Sequence, residues 1–140
     1  MSADSVQCEG GCFCGAVRWR TTGPLYHVTH CHCSICRRLS AAPFVTWASV
    51  RTSDFVFVAG TPARIASSRR AERTFCNRCG TPLTFQLHAS PEELDVTVCS
   101  MDHPERMVPE DHTQTLTQLP WIRLADGLPR HETERPPLQV

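Results

Sequence analysis

The sequence contains no lysine: all 14 of its basic side chains are arginine. That bias carries no functional reading of its own, but the distribution of charge does. Fourteen acidic residues balance the arginines to a formal net charge of zero, and no run of like charges occurs. No electrostatic surface for nucleic acid is therefore expected. Nor does any stretch approach the ~18 consecutive apolar residues of a membrane-spanning helix. The opening segment, MSADSVQCEGG, has neither a basic start nor an apolar run and does not read as a signal peptide. These absences predict a soluble, cytoplasmic protein with no nucleic-acid or membrane partner.

What the sequence has in excess is cysteine, nine in 140 residues. An odd count without a secretory leader argues against a disulfide framework. In a reducing compartment, clustered thiols point instead to metal or redox chemistry.

The chain at this length is expected to be one domain, with residues 1–8 and 133–140 as loose termini around a core of 9–132. Its pattern is mostly short β. Residues 16–21, 43–50, 54–58, 73–75, 82–88 and 94–98 are rich in β-branched or aromatic side chains. Gly and Pro break the chain between them. Two short helical turns are expected, one capped by Ser34 and one starting at Ser90, where Ser-Pro-Glu-Glu offers a cap, a proline and an acid three residues on. A mainly β fold follows.

Seven cysteines fall into three groups: Cys12 with Cys14, Cys31 with Cys33 and Cys36, and Cys76 with Cys79. On an extended strand Cys12 and Cys14 would face the same side. Cys76-Asn77-Arg78-Cys79-Gly80 reads as a knuckle, a tight turn that brings two thiolates together, with glycine supplying the backbone freedom beyond it. Two doublets make a closed tetrahedral site that zinc fills, whereas the triplet supplies three thiolates and leaves a position for water or substrate. His30, His32 or a distant residue could instead close it. His32 alternates away from Cys31 and Cys33, while His30 is less easily set aside. Arg37 and Arg38 could stabilise ionised sulfur or attract an anionic substrate. Thioredoxin-like redox chemistry at Cys33 and Cys36 lacks the surrounding βαβ pattern. An open triplet is expected to oxidise before a closed quartet. Cys99 reads as a core thiol, and Cys8 as part of the loose N-terminus.

The segments GGCFCGAVRW, HCHCSICRR, RTFCNRCGTPL, SMDHPE and LPWIRLADGLPRHE, in that order, resemble the glutathione-dependent formaldehyde-activating enzymes, also called the centromere protein V domain family. The resemblance runs from about Glu9 to Glu132. It implies a β-tent, small antiparallel sheets pinned by zinc, with two zinc ions per chain. It implies a structural zinc on Cys12, Cys14, Cys76 and Cys79, and an active-site zinc on Cys31, Cys33 and Cys36. The implied activity is of the carbon–sulfur lyase type, joining glutathione and formaldehyde into S-hydroxymethylglutathione. Its partners would be a small thiol such as glutathione and an aldehyde. The rival readings are a non-catalytic zinc-binding interaction module and a thiol-rich metal or redox buffer.

Overall fold

The computed structural model describes residues 7–136. Ten strands form two sheets. The smaller is antiparallel, in the order β1-β2-β5, with β1 at Cys8–Gly11, β2 at Arg18–Thr21 and β5 at Phe55–Ala59. The larger has seven strands in the order β10-β3-β4-β9-β8-β7-β6. These are β3 (Tyr26–Cys31), β4 (Val45–Arg51), β6 (Ala63–Ser68), β7 (Ala71–Phe75), β8 (Pro82–Leu87), β9 (Glu93–Thr97) and β10 (Asp111–Thr113). Every pairing is antiparallel except that of β10, which runs parallel to β3 at the edge. Among the described residues there is one α-helix, α1, at Ser34–Ser40. The fold is mainly β, as expected.

Burial follows each strand's place. Central β4 is buried continuously from Trp47 to Val50, as a strand covered on both faces must be. Edge strand β6 instead alternates between half-buried and exposed residues. Between the sheets, Val17, Trp19, Phe55 and Phe57 meet Val28, Ala48, Leu83 and Val96. Trp19 is fully buried and settles its indole N–H on Ser100 Oγ at 3.2 Å, which removes the penalty of an unpaired donor. Cys12 and Cys76 belong to the same cluster, so the hydrophobic core runs directly into the cysteine quartet.

Several expectations are corrected. Ser90-Pro91-Glu92-Glu93 does not start a helix. It closes a turn, Glu93 N–H to Ser90 C=O at 3.2 Å, and leads straight into β9. The β-forming run Leu94–Thr97 that follows outweighs the capping pattern. Cys99 is exposed, because a 3₁₀ turn at Val98–Ser100 buries its two neighbours and turns it outward. Cys8 is not loose: it pairs with Thr21 in β1. The C-terminal stretch is held as far as Arg135, which grips the buried carboxylate of Asp111 at 2.6 Å, while Thr133 C=O accepts from Gln114 N–H. Residues 1–6 and 137–140 of the expected loose termini lie outside the described residues.

Candidate metal centres

Two turns build the first cluster. Cys12–Gly15 is a tight turn, closed by Gly15 N–H to Cys12 C=O at 3.1 Å, and not the extended strand that the one-residue spacing suggests. Cys76–Gly80 closes the same way at 2.7 Å. Both end on a glycine with positive φ, +80° at Gly15 and +84° at Gly80, a conformation that costs other residues a steric clash. The turns meet across the molecule, placing Cys14 Sγ 3.6 Å from Cys12 Sγ and 3.8 Å from Cys76 Sγ. The edge of a tetrahedron of sulfurs bonded to zinc at ~2.3 Å is ~3.8 Å, so the spacing fits. Backbone N–H groups of Val17 and Arg78 point at Cys12 and Cys76, and the Thr81 hydroxyl lies 3.3 Å from Cys79 Sγ. Such donors favour thiolate over thiol; the Thr81 contacts pull the Cys79 thiol down to about 5.

The second cluster gathers at the end of β3 and the start of α1. Cys33 is the N-cap residue, its Sγ accepting from the Cys36 N–H at 3.2 Å. The expected cap, Ser34, is the helix's first residue instead. One sulfur therefore serves both as helix cap and as candidate ligand. Cys36 Sγ lies 3.6 Å from Cys31 Sγ. Hydrogen bonding with Cys31 pulls the Cys33 thiol down to about 2, and the same sharing pushes Cys31 far up. Three crowded thiols cannot all ionise together unless a cation neutralises them.

Each cluster could hold a metal ion: within each, the ligand sulfurs lie within 4.8 Å of one another. Among the described residues the quartet has four such donors, whereas no His, Cys, Asp or Glu joins the triplet as a fourth. His30 is turned to Thr46 Oγ1 at 2.8 Å. His32 is wholly buried and bonds through Nε2 to His112 Nδ1 at 3.0 Å; His112 Nε2 in turn meets Asp126 Oδ2 at 2.8 Å. His32, between Cys31 and Cys33 in the chain, is thus fixed through His112 to Asp126, and the parallel pairing of β10 with β3 sets His112 opposite His30.

Arg73 was not singled out by its sequence. It lies buried in β7, with its guanidinium carbon 5.5 Å from the Trp47 ring and 5.0 Å from Phe85, and Nη2 donates to Cys36 Sγ at 3.4 Å. The only local signal was a charge in a β-forming run. Of the two arginines that were singled out, neither bonds to a cluster sulfur among the described residues. Arg37 donates to Thr117 C=O at 2.7 Å. With Arg38, Ser34 and Trp121 it lines an open depression of about 690 Å³ on the outer face of α1.

A mainly β chain with two cysteine clusters set by tight turns and one short helix belongs to a recognisable class. The model of the glutathione-dependent formaldehyde-activating enzyme family matches residues 7–116, and the chain belongs to that family. It is similar to an uncharacterized lyase of Schizosaccharomyces pombe, 34% identical over 77 residues, covering 55% of this chain and 56% of that one. It is also similar to a protein of Halomonas elongata provisionally named as a glutathione-dependent formaldehyde-activating enzyme, 35% identical over 85 residues, 54% of this chain and 53% of the relative. The matches thus span about half the length of these curated relatives. A crystal structure of a Rhodobacter sphaeroides protein superposes with a TM-score of 0.53 at 26% identity, covering 88% of this chain and 98% of that one. No helix among the described residues is long and apolar enough to cross a membrane.

Proposed function

We propose that the chain is a zinc-dependent enzyme of the carbon–sulfur lyase type that joins a small thiol, glutathione by family, to an aldehyde such as formaldehyde. The observation that carries this reading is the contrast between the clusters: four sulfur donors in one, three in the other. Closed sets are structural, and sets one donor short leave room for a substrate. Cys12, Cys14, Cys76 and Cys79 would hold the structural zinc, and Cys31, Cys33 and Cys36 the second, two ions per chain. Bound there, zinc supplies Lewis acidity and eases ionisation of a thiol.

The chain's own groups do the rest. Arg73 fixes the Cys36 sulfur and adds a buried positive charge beside it. Arg37 and Arg38, one turn of α1 from Cys33, face the open depression and meet the carboxylates of glutathione. In the reaction the thiol sulfur bonds to the carbonyl carbon. The C=O π pair moves to oxygen, and the thiol proton ends there as the new hydroxyl.

The test is the rate of S-hydroxymethylglutathione formation, measured by exchange NMR with zinc-supplemented protein. Acceleration at least tenfold over the protein-free mixture, lost in Cys33→Ser, is expected. Two retained metals with no acceleration would leave a non-catalytic zinc module as the better account.

A further inference from the structure

Helix α1 separates two concavities. Residues 34, 37, 38 and 41 lie on one face by helical spacing and line the charged depression, whereas residues 36, 39 and 40 lie on the other. That second face closes a cavity of about 300 Å³ over β4, β6, β7 and β8. Leu39, Trp47, Ile65 and Phe75 are among its walls, and Cys36 and Arg73 also line it. Arg73 is its single charged lining residue, and its position is built: nine-tenths buried, stacked on two aromatic rings, its Nε without a partner among the described residues.

A cavity of this size falls in the range that holds whole small molecules. Formaldehyde, with two heavy atoms and no hydrocarbon, would use almost none of it. We infer that this cavity receives the hydrocarbon part of a longer aldehyde, so that the chain acts on thiol adducts of apolar aldehydes in preference to formaldehyde. The inference rests on the reaction proposed above and names its substrate class. The carbonyl lies at the Cys36 end, where the Arg73 guanidinium faces the oxygen that gains negative charge as the C–S bond forms. The alkyl chain runs away from it along Leu39, Trp47 and Ile65. The thiol partner enters from the opposite face of α1, past Arg37 and Arg38. Balance is as before: one C–S bond forms, and the thiol proton passes to the aldehyde oxygen.

Two measurements on the zinc-loaded protein separate this inference from its premise. The first is binding of ethanol, 1-butanol and 1-hexanol, which cannot form the adduct, read from the Trp47 indole and the Leu39 and Ile65 methyl resonances. Affinity is expected to rise about fourfold per methylene until the cavity is filled. The second is kcat/KM with glutathione and the aldehydes from formaldehyde to octanal, expected to rise in parallel. Ile65→Trp, or Leu39→Trp should the first not fold, is expected to shift the optimum to shorter chains. Val58→Trp, on the other sheet, leaves the profile unchanged.

No alkanol binding, with formaldehyde turned over as fast as hexanal, would overturn the inference and leave the reaction standing. Alkanol binding with no turnover of any aldehyde would overturn both. Hexanoate binding tenfold or more tighter than 1-hexanol would reassign the cavity to a carboxylate and overturn the aldehyde assignment.

Discussion

Arg73 Nη2 donates to Cys36 Sγ across 3.4 Å, from a guanidinium packed over the Trp47 and Phe85 rings, 5.5 and 5.0 Å from their centroids. The pair joins β7 to α1, and Cys36 is the most buried of the three triplet cysteines. A hydrogen bond from a cation stabilises thiolate, and partners of this kind orient a ligand before the metal arrives. Arg73→Met keeps the packing volume but removes the donor. It is expected to weaken metal binding at the triplet by about 10–100-fold, read by competition with a chromogenic chelator. Arg73→Lys should recover part of the loss. Equal retention in wild type and Arg73→Met would show that the contact is packing alone.

The two clusters should differ in their coupling to folding. The quartet clips turns more than sixty residues apart and lies against the hydrophobic core, and structural zinc sites supply about 10–16 kcal/mol of folding energy. Cys79→Ser is expected to unfold the domain or lower its melting temperature by at least about 15 °C. Cys33→Ser removes a ligand but keeps a helix cap, because a serine hydroxyl at this N-cap position also accepts from the Cys36 N–H. It should leave a folded β protein whose zinc content falls from two per chain to about one. Circular dichroism melting and elemental analysis of both variants, prepared anaerobically, decide the matter. Equal damage would show that the triplet is a second structural clip.

Much of this architecture was legible because glycine and cysteine speak locally. The knuckle at Cys76–Gly80 and six of the strands follow from short-range pattern. Four strands were missed, each for a physical reason. β1, Cys-Glu-Gly-Gly, has almost no β-forming side chains. β3 runs into the cysteine motif only at His30 and Cys31, and its alternation is broken by an irregularity between Tyr26 and Thr29, where His27 has a φ of +50°; β6 is a weak Ala/Ser-rich edge. β10 is three buried polar residues whose burial depends on Asp126 and Arg135, far along the chain. Arg73 was hidden for the same reason: its meaning lies in Cys36, thirty-seven residues away. Cys99 misled because a 3₁₀ turn reverses strand alternation there.

Accessibility revises the expected order of oxidation. In the quartet Cys14 is exposed, while in the triplet Cys36 is buried and Cys31 and Cys33 are half-buried. Openness in coordination is therefore not openness to reagent. The exposed thiol outside both clusters is Cys99. With both metals bound, iodoacetamide should modify one cysteine per chain quickly, and peptide mapping should place it at Cys99. Cys99→Ser should abolish the fast phase without loss of metal. A fast phase at Cys31 or Cys33 in the metal-loaded protein would mean that the triplet releases its ion readily.

Asp95 supplies a pH test outside both cysteine clusters, although the Arg73 charge also acts on it. It sits in β9 opposite Ser49, whose hydroxyl donates to its carboxylate at 2.6 Å. Enclosure by protein atoms disfavours the charged form and raises the carboxyl to about 6, the Ser49 bond offsetting part of that rise. The sign follows from proton counting. Between the unfolded value of about 3.9 and about 6, the folded state holds a proton that the unfolded chain has released. Stability contributed by this site therefore falls as pH rises through that window and stays low above it. An amide in place of this carboxylate would keep the hydroxyl contact and carry no charge. Asp95→Asn is accordingly expected to stabilise the protein by roughly 1–3 kcal/mol at pH 7.5. The difference should shrink steadily as pH falls below 6 and vanish below about pH 4, where Asp95 is protonated in both states. Urea unfolding of the two proteins at half-unit pH steps measures it. A gain that is the same at every pH would trace the stabilisation to packing rather than to an enclosed charge.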